Sequence, residues 1–161
     1  MPNIAPCLWF DNQAEEAANF YVSVFKNSRV TAISHYGDGM PLPKGTVLEV
    51  SFELNGEDFL ALNGGPIFTF SPAISFVVNC ETQEEIDDLW TKLSADPASE
   101  QCRWLKDKYG VSWQIVPAIL PRLMDSEEPE KRDRVFAALM KMKKLDIACV
   151  AARLCRVEPR L

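Results

Sequence analysis

The sequence has little of what a metal site or a disulfide framework requires. Among its 161 residues there is one histidine, His35, and the five cysteines form no Cys-x-x-Cys pair. Zinc sites usually draw three or four ligands from histidine, cysteine and carboxylate side chains, often at short spacings. An odd number of cysteines without paired spacing favours free thiols. The composition therefore argues against a dedicated metal site and against a disulfide-stabilised fold.

Basic charge and long apolar runs are also scarce. Lysine and arginine number 17 against 23 aspartates and glutamates, a net charge of −6, whereas nucleic-acid binders normally present a basic face. The longest apolar runs, near Ala73–Val78 and Ala148–Ala152, fall well short of the roughly 20 residues that cross a bilayer. The first residues show no signal-peptide pattern. We therefore expect a cytoplasmic protein without a nucleic-acid or membrane partner.

The seven glycines do not form a phosphate-binding or nucleophile motif. Gly37-Asp38-Gly39 and Gly64-Gly65 follow predicted strands, but neither opens a helix. A Rossmann-type turn needs G-x-G-x-x-G at a strand-to-helix junction, so its absence argues against binding of NAD, nucleotides and nucleotide-like methyl donors in that mode. There is also no G-x-S-x-G elbow, and His35 lies near a strand end, where histidines are commonplace.

Two β–α units of similar design follow one another along the chain. In the first, the strand-like run Asn3–Phe10 precedes a helix for which Asp11 or Asn12 is the expected cap. In the second, Ala73–Asn79 precedes a helix that Thr82 is expected to cap. Further strands are predicted after each helix, so that each unit is β-α-β-β-β or a shortened version of it; they are Arg29–Tyr36, Thr46–Leu54 and Asp58–Leu62 in the first unit, and Gln101–Leu105 and Val111–Val116 in the second.

Polar side chains alternate with apolar ones on two of these strands. In Thr46–Leu54, Glu49 and Ser51 share one face, and in Val111–Val116 Ser112 and Gln114 do the same. Such a face either meets solvent or lines a cleft, where a carboxylate can act as a general base or bind a cationic group. Beyond the sheet region, residues 118–161 have the pattern of amphipathic helices that pack on the body or on a second subunit.

Three segments resemble one family. They are the block Trp104–Pro117 with Asp107, Gly110 and Trp113-Gln114-Ile-Val-Pro, the turn Asn63-Gly64-Gly65-Pro66, and the tail Met140-Lys-Met-Lys-Lys-Leu-Asp-Ile. All three resemble PhnB-like proteins, the branch labelled 3-demethylubiquinone 3-methyltransferase-like within the vicinal oxygen chelate superfamily of glyoxalase I, bleomycin-resistance proteins and extradiol dioxygenases.

The resemblance implies an α+β fold in which tandem βαβββ units form a curled mixed-sheet cleft of the glyoxalase/bleomycin-resistance type, with a C-terminal helical extension. It implies one domain over residues 1–161, with a first unit at 1–66, a second, shortened unit at 72–117 and a helical tail at 118–161. It also implies a homodimer.

Glyoxalase-type members of this superfamily hold a divalent metal with four side chains on the first and last strands of each unit. The matching positions in this sequence are Ala5, Ala61 or its neighbours, Ala73 and Gln114. Only Gln114 has an oxygen that can ligate a metal, and one neutral ligand does not retain Zn²⁺ or Ni²⁺. We therefore expect no cofactor, a divalent metal being the less favoured alternative.

These observations predict a metal-independent homodimer that binds, sequesters or confers resistance to a small organic molecule. The alternative is a glyoxalase-like lyase or isomerase, or a dioxygenase-type enzyme, that uses a divalent metal; the sequence assigns no catalytic residue. Strand parity and the resemblance together predict a ligand-binding cleft, with no metal site, lined by Cys7, Trp9, Glu49, Ser51, Asn63, Trp104, Ser112 and Gln114.

Overall fold

The computed structural model of the chain describes residues 4–125 and 128–155. It divides into two compact units, Met1–Phe70 and Ser71–Leu161, called here the first and second unit. Each unit is described by itself. The assignment of residues 1–161 to a single domain, with the boundaries given above, stays a prediction.

The first unit has the predicted β-α-β-β-β order. Its elements are β1 (Cys7–Phe10), α1 (Ala14–Val24), β2 (Arg29–His35), β3 (Val47–Leu54) and β4 (Glu57–Asn63). The sheet order is β1-β4-β3-β2, with β1 parallel to β4 and the other pairs antiparallel. Small side chains allow α1 to approach the sheet closely, and its buried residues are Ala14, Ala17, Ala18, Tyr21 and Val24. They cover one face of β3 and β4, including Val50, Phe52 and Ala61.

The start of α1 differs from the sequence prediction, which placed the cap at Asp11 or Asn12. The residue at the cap position is Gln13, and its side chain makes no capping hydrogen bond. Instead, the Ala14 backbone N–H donates to Oδ1 of Asn63 at 2.8 Å. A residue from the end of β4 thus satisfies one of the amides that every helix start leaves unpaired.

The second unit repeats this design with one strand fewer. It contains β5 (Phe76–Cys80), α2 (Gln83–Leu93), β6 (Trp104–Lys106) and β7 (Ser112–Pro117), in the sheet order β5-β7-β6. Strand β5 runs parallel to β7, and β6 runs antiparallel to it. The predicted cap at Thr82 is confirmed, because its side chain accepts from the Glu85 N–H in a capping box.

The extension beyond the sheet is helical, as predicted. It comprises α3 (Leu120–Met124), α4 (Pro129–Leu139) and α5 (Ile147–Cys155). These helices share a buried apolar cluster with the end of β7, made of Val116, Leu120, Val135, Leu139, Leu145 and Val150. The Gln83 side chain holds the segment before α5, since its Nε2 donates to the Leu145 carbonyl at 3.1 Å and its Oε1 accepts from the Ile147 N–H at 2.9 Å.

The predicted α+β class is confirmed, but the strands do not form one curled sheet. They form two mixed sheets, of four and three strands, and neither is curled. None of the described helices combines the length and the unbroken apolar character that crossing a bilayer demands.

Candidate functional site

Four of the predicted site residues lie together on the face of the first sheet that α1 does not cover. Cys7 of β1 is opposite Leu60 of β4, which pairs with Ser51 of β3. In the next row, Trp9 is opposite Leu62, which pairs with Glu49. Because side chains alternate along a strand, Cys7, Trp9, Glu49 and Ser51 point to the same side. We call this the open face of the first unit.

The indole ring of Trp9 is fixed by the glycine-rich turn after β4. Its Nε1–H donates to the Gly65 carbonyl at 2.8 Å, and its ring meets Phe68 edge to face with centroids 5.0 Å apart. A Cβ atom added to Gly64 would overlap ring atoms of Trp9. The turn therefore requires glycine at position 64, and the tryptophan is held in one orientation before any ligand arrives.

The thiol of Cys7 is kept in its protonated form. Burial raises the pKa of the Cys7 thiol, and the negative charge of Glu49 raises it further. A thiolate is the reactive form of cysteine, so a raised pKa makes Cys7 a weak nucleophile at neutral pH. The contribution of Glu49 also shows that these two residues of the open face influence each other electrostatically.

Asn63 does not belong to this face. It is 2 % exposed and lies on the side that α1 covers. Its Oδ1 accepts from the Ala14 N–H, and its Nδ2 donates to the Val47 carbonyl at 3.0 Å. Its backbone carbonyl accepts from the hydroxyl of Tyr36 at 2.6 Å. The side chain that the sequence assigned to ligand binding is thus committed to holding the helix and the sheet together.

In the second unit the three predicted residues share the face of the sheet opposite α2. Trp104 of β6 pairs directly with Gln114 of β7, and Ser112 pairs with Lys106. Ser112 is buried, whereas Trp104 and Gln114 are half-buried. That these residues line one cleft with those of the first unit stays a prediction.

Both ends of the Gln114 amide are occupied by polar partners. Its Oε1 accepts from the Arg103 Nε–H at 2.8 Å, and its Nε2 donates to the Ser75 hydroxyl at 2.8 Å. The guanidinium is a permanent positive charge. Gln114 is the one polar side chain among the positions that hold the metal in glyoxalase-type proteins. Its oxygen is therefore bound to the positively charged side chain of Arg103.

Arg103 is presented by a tight turn that the sequence did not predict. The run Gln101–Leu105 was expected to be a strand, but Cys102 and Arg103 have φ values of 46° and 72°. Left-handed backbone at non-glycine residues is uncommon and costs about 1–2 kcal/mol per residue. The helical extension supports this turn, since the Cys102 and Arg103 N–H groups each donate at 2.8 Å to the carbonyls of Met142 and Lys143.

A cavity of about 660 Å³ adjoins this turn within the second unit. Apolar side chains form most of its wall, with the polar groups concentrated on one side. The lining residues are Pro72, Ser99, Gln101, Cys102, Arg103, Trp104, Met124, Phe136, Leu139 and Met140. Cavities of this size suit small organic molecules. Of the eight residues that the sequence predicted to bind a ligand, only Trp104 lines this cavity.

Two ion pairs fix the extension next to the cavity. Lys144 lies 2.6 Å from Asp87 of α2, and Lys143 lies 3.5 Å from Glu100. Hydrogen bonds from Lys144 and Gln83 hold the pKa of the Asp87 carboxyl below its usual range. A hydrogen bond from Ser94 does the same for the pKa of Glu100. Both ion pairs are formed by ionised carboxylates at the surface.

The block Trp104–Pro117, on which the resemblance depends, contains an aspartate that organises the fold. Asp107 is 3 % exposed. Its Oδ2 accepts from the Trp113 indole N–H at 2.8 Å, and its Oδ1 accepts from the backbone N–H groups of Tyr109 and Val111 at 2.9 and 3.0 Å. The carboxylate closes the β6–β7 turn and holds Trp113 in the core under α2, so this part of the motif is structural.

The described residues do not provide a metal-binding group. Among residues 4–125 and 128–155, no three histidine, cysteine, aspartate or glutamate side chains are grouped so as to hold a metal ion. Of the family positions, Ala5, Ala61 and Ala73 have no ligating atom in their side chains, and Gln114 is bound to Arg103. Of these four side chains, Gln114 is therefore the one with an oxygen that could ligate a metal.

Comparison with known families identifies the fold and the lineage of the chain. Residues 2–116 match the family model described as 3-demethylubiquinone-9 3-methyltransferase. A PhnB protein from Bacillus cereus with that family description is 41% identical over 73% of this chain and 100% of that chain, with a TM-score of 0.62. The chain belongs to the PhnB-like family.

A more distant structure shares the fold of this PhnB-like protein. Protein PA1353 from Pseudomonas aeruginosa has a TM-score of 0.56 at 19% identity, over 73% of this chain and 98% of that chain. No curated protein matches the chain. The family model ends at residue 116, so helices α3, α4 and α5 lie outside the matched region.

Proposed function

We propose that this PhnB-like protein is a metal-independent homodimer that binds a small organic molecule and sequesters it or protects against it. The observation that carries this proposal is the hydrogen bond from Arg103 to Gln114. It occupies the one side-chain oxygen that the family pattern offers to a metal. The family description names a methyl transfer, but the chain has no Rossmann-type turn for a nucleotide-like methyl donor, and we do not propose that activity.

Electrostatics supports metal independence. A divalent cation on Oε1 of Gln114 would lie next to the Arg103 guanidinium, which is a permanent positive charge. Two like unit charges 4 Å apart repel each other by roughly 4 kcal/mol at the effective dielectric constant of a partly buried site. The neutral amide offers nothing that would offset this repulsion.

The open face of the first unit supports binding of an organic molecule. It combines a preoriented indole, Trp9, with a hydroxyl at Ser51 and a carboxylate at Glu49. Ligand sites typically pair apolar and aromatic walls with a few polar groups that fix orientation. The protonated thiol of Cys7 suits contact with an organic ligand better than covalent attack on it.

Dimerisation is supported by large apolar side chains that the single chain leaves in solvent. Ile67 and Ile74 are 73% and 75% exposed, and Phe68 is 62% exposed. These residues lie close together in the sequence, and exposed apolar side chains of this size are typical of association surfaces. We expect the purified protein to elute as a dimer in size-exclusion chromatography with light scattering. Ile74→Asp should shift it toward the monomer, and a monomeric wild-type protein would contradict this part of the proposal.

The metal-independent function is tested by elemental analysis of protein purified without chelator and without a nickel column. We expect no stoichiometric divalent ion, and no rise in melting temperature on addition of Zn²⁺, Ni²⁺ or Mn²⁺. Native mass spectrometry of the same sample should show a retained organic mass that denaturation releases. A stoichiometric divalent ion that Gln114→Ala removes, while Gln83→Ala does not, would overturn the proposal in favour of a metal enzyme.

A further inference from the structure

Four of the ten residues that line the cavity of the second unit lie outside the region that the family model matches. Met124, Phe136, Leu139 and Met140 come from the helical extension, and the family match ends at residue 116. The opposite wall comes from the 99–104 segment, including Trp104. The extension therefore supplies part of the wall of an open pocket that the matched region alone does not build.

The charge of the cavity wall is opposite to that of the whole protein. Among the described residues that line it, Arg103 is the one with a formal charge and none is acidic, whereas the chain as a whole has a net charge of −6. A single cation in a largely apolar wall attracts a single anionic group more strongly than it would in open water. The cavity is therefore suited to a ligand with one negative group and an apolar body.

The guanidinium of Arg103 is positioned before a ligand binds. Its Nε–H is bound to Gln114, which is anchored in turn by Ser75. Its backbone is held in the left-handed turn by the carbonyls of the extension. Strained backbone of this kind persists where the surroundings enforce it and is concentrated at ligand sites. An arginine fixed through Nε directs its two terminal nitrogens as a fork, the geometry that suits a carboxylate, phosphonate or sulfonate.

We propose that this cavity binds a small organic anion whose body is flat and apolar, with the anionic group on the terminal nitrogens of Arg103 and the body against Trp104 and Phe136. This inference rests on the proposed function, because it names the class of molecule that the protein binds. The helical extension is then part of the ligand site and sets which members of that class fit.

The test uses two fluorescent probes of similar shape and different charge on the full chain. Anilinonaphthalene sulfonate carries the anionic group, and N-phenylnaphthylamine lacks it. We expect saturable binding of the sulfonate to the folded protein. Arg103→Gln should weaken sulfonate binding about tenfold, the loss typical of one hydrogen bond to a charged group. The same variant should change binding of the neutral probe by less than about twofold.

A second variant addresses the apolar wall. Phe136 is 54% exposed, so Phe136→Ala leaves the buried cluster intact. We expect this variant to weaken the binding of both probes by about fivefold, since an aromatic side chain in the wall contributes through contact area rather than through charge. Arg134→Gln is the matched control, because it removes a positive charge from the same helix at a residue that does not line the cavity. It should leave both affinities unchanged.

Two results would overturn the inference. Sulfonate binding that is equally tight in wild type, Arg103→Gln and Phe136→Ala would place the probe elsewhere, and an equal effect of Arg103→Gln on both probes would show that Arg103 acts through structure rather than charge. Neither result bears on metal content. Conversely, a stoichiometric ion that Gln114→Ala removes would overturn the proposed function, and elemental analysis detects it independently of probe binding, so the two failures are distinguishable.

Discussion

The Asn63 side chain joins the start of α1 to the sheet, so its removal should destabilise the first unit. Asn63→Ala deletes the acceptor of the Ala14 N–H and the donor to the Val47 carbonyl. Loss of a helix cap costs about 1 kcal/mol and loss of a buried hydrogen bond about 1 kcal/mol more, with a further penalty for the Ala14 amide left without a partner. We expect the free energy of unfolding to fall by about 2–3 kcal/mol.

The measurement is urea unfolding followed by tryptophan fluorescence, with hydrogen exchange of the first α1 amides as a local readout. Asn12→Ala is the matched control: Asn12 is one of the two caps that the sequence predicts, and its side chain is exposed in the loop before α1. It should change stability by less than about 0.5 kcal/mol. The reasoning is refuted if Asn12→Ala destabilises the protein as much as Asn63→Ala, or if Asn63→Ala leaves both stability and exchange unchanged.

Three further substitutions test the open face and the docking of the extension. Gly64→Ala should lower the free energy of unfolding by about 1–3 kcal/mol, because the new methyl group would overlap the indole ring of Trp9. The control Gly37→Ala, at a position with room for a methyl group, should lower it by less in the same urea titration. Glu49→Gln should lower the pKa of Cys7 and speed its alkylation by iodoacetamide at pH 8; an unchanged rate would contradict their coupling. Asp87→Asn should make the stability of the fold less sensitive to acid. Because the pKa of Asp87 is lowered in the folded state, its ionised carboxylate stabilises that state at pH values above the ordinary aspartate pKa. This stabilisation is lost as the pH falls through the lowered pKa. If the acid unfolding curves of the wild type and of Asp87→Asn coincide when each is normalised to its own folded and unfolded signals, the predicted role of Asp87 is contradicted.

Features set by neighbouring residues in the chain were predictable from the sequence. The alternation in β3 correctly placed Val50, Phe52 and Leu54 in the core. The dipeptide Asn55-Gly56 between two alternating runs predicts a tight hairpin turn, and the pair forms one with φ values of 50° and 87°. In each case a few adjacent residues determine the backbone conformation, so no knowledge of distant partners is needed.

Features that depend on distant partners were not predictable. The cap of α1 comes from Asn63, 49 residues further along the chain. The turn at Cys102 and Arg103 contains no glycine and is stabilised by carbonyls of the extension. A pattern of local residue types has no means of showing either contact. The single available signal was that Asn63 follows an alternating strand at a position facing the core, where a polar side chain needs partners.

The most specific part of the sequence motif and the distinctive part of the candidate site are therefore different residues. Asp107 and Trp113 specify the turn and the core of the second unit, so they indicate which fold the chain adopts. Arg103 gives the cavity its charge, and the helices after residue 116 supply part of its wall. Because a fold supports many activities and the site determines which one is realised, ligand preference in PhnB-like proteins should follow the residue before β6 and the length of the C-terminal extension. Exchanging Arg103 should consequently change what this protein binds, and exchanging Asp107 should change only whether it folds.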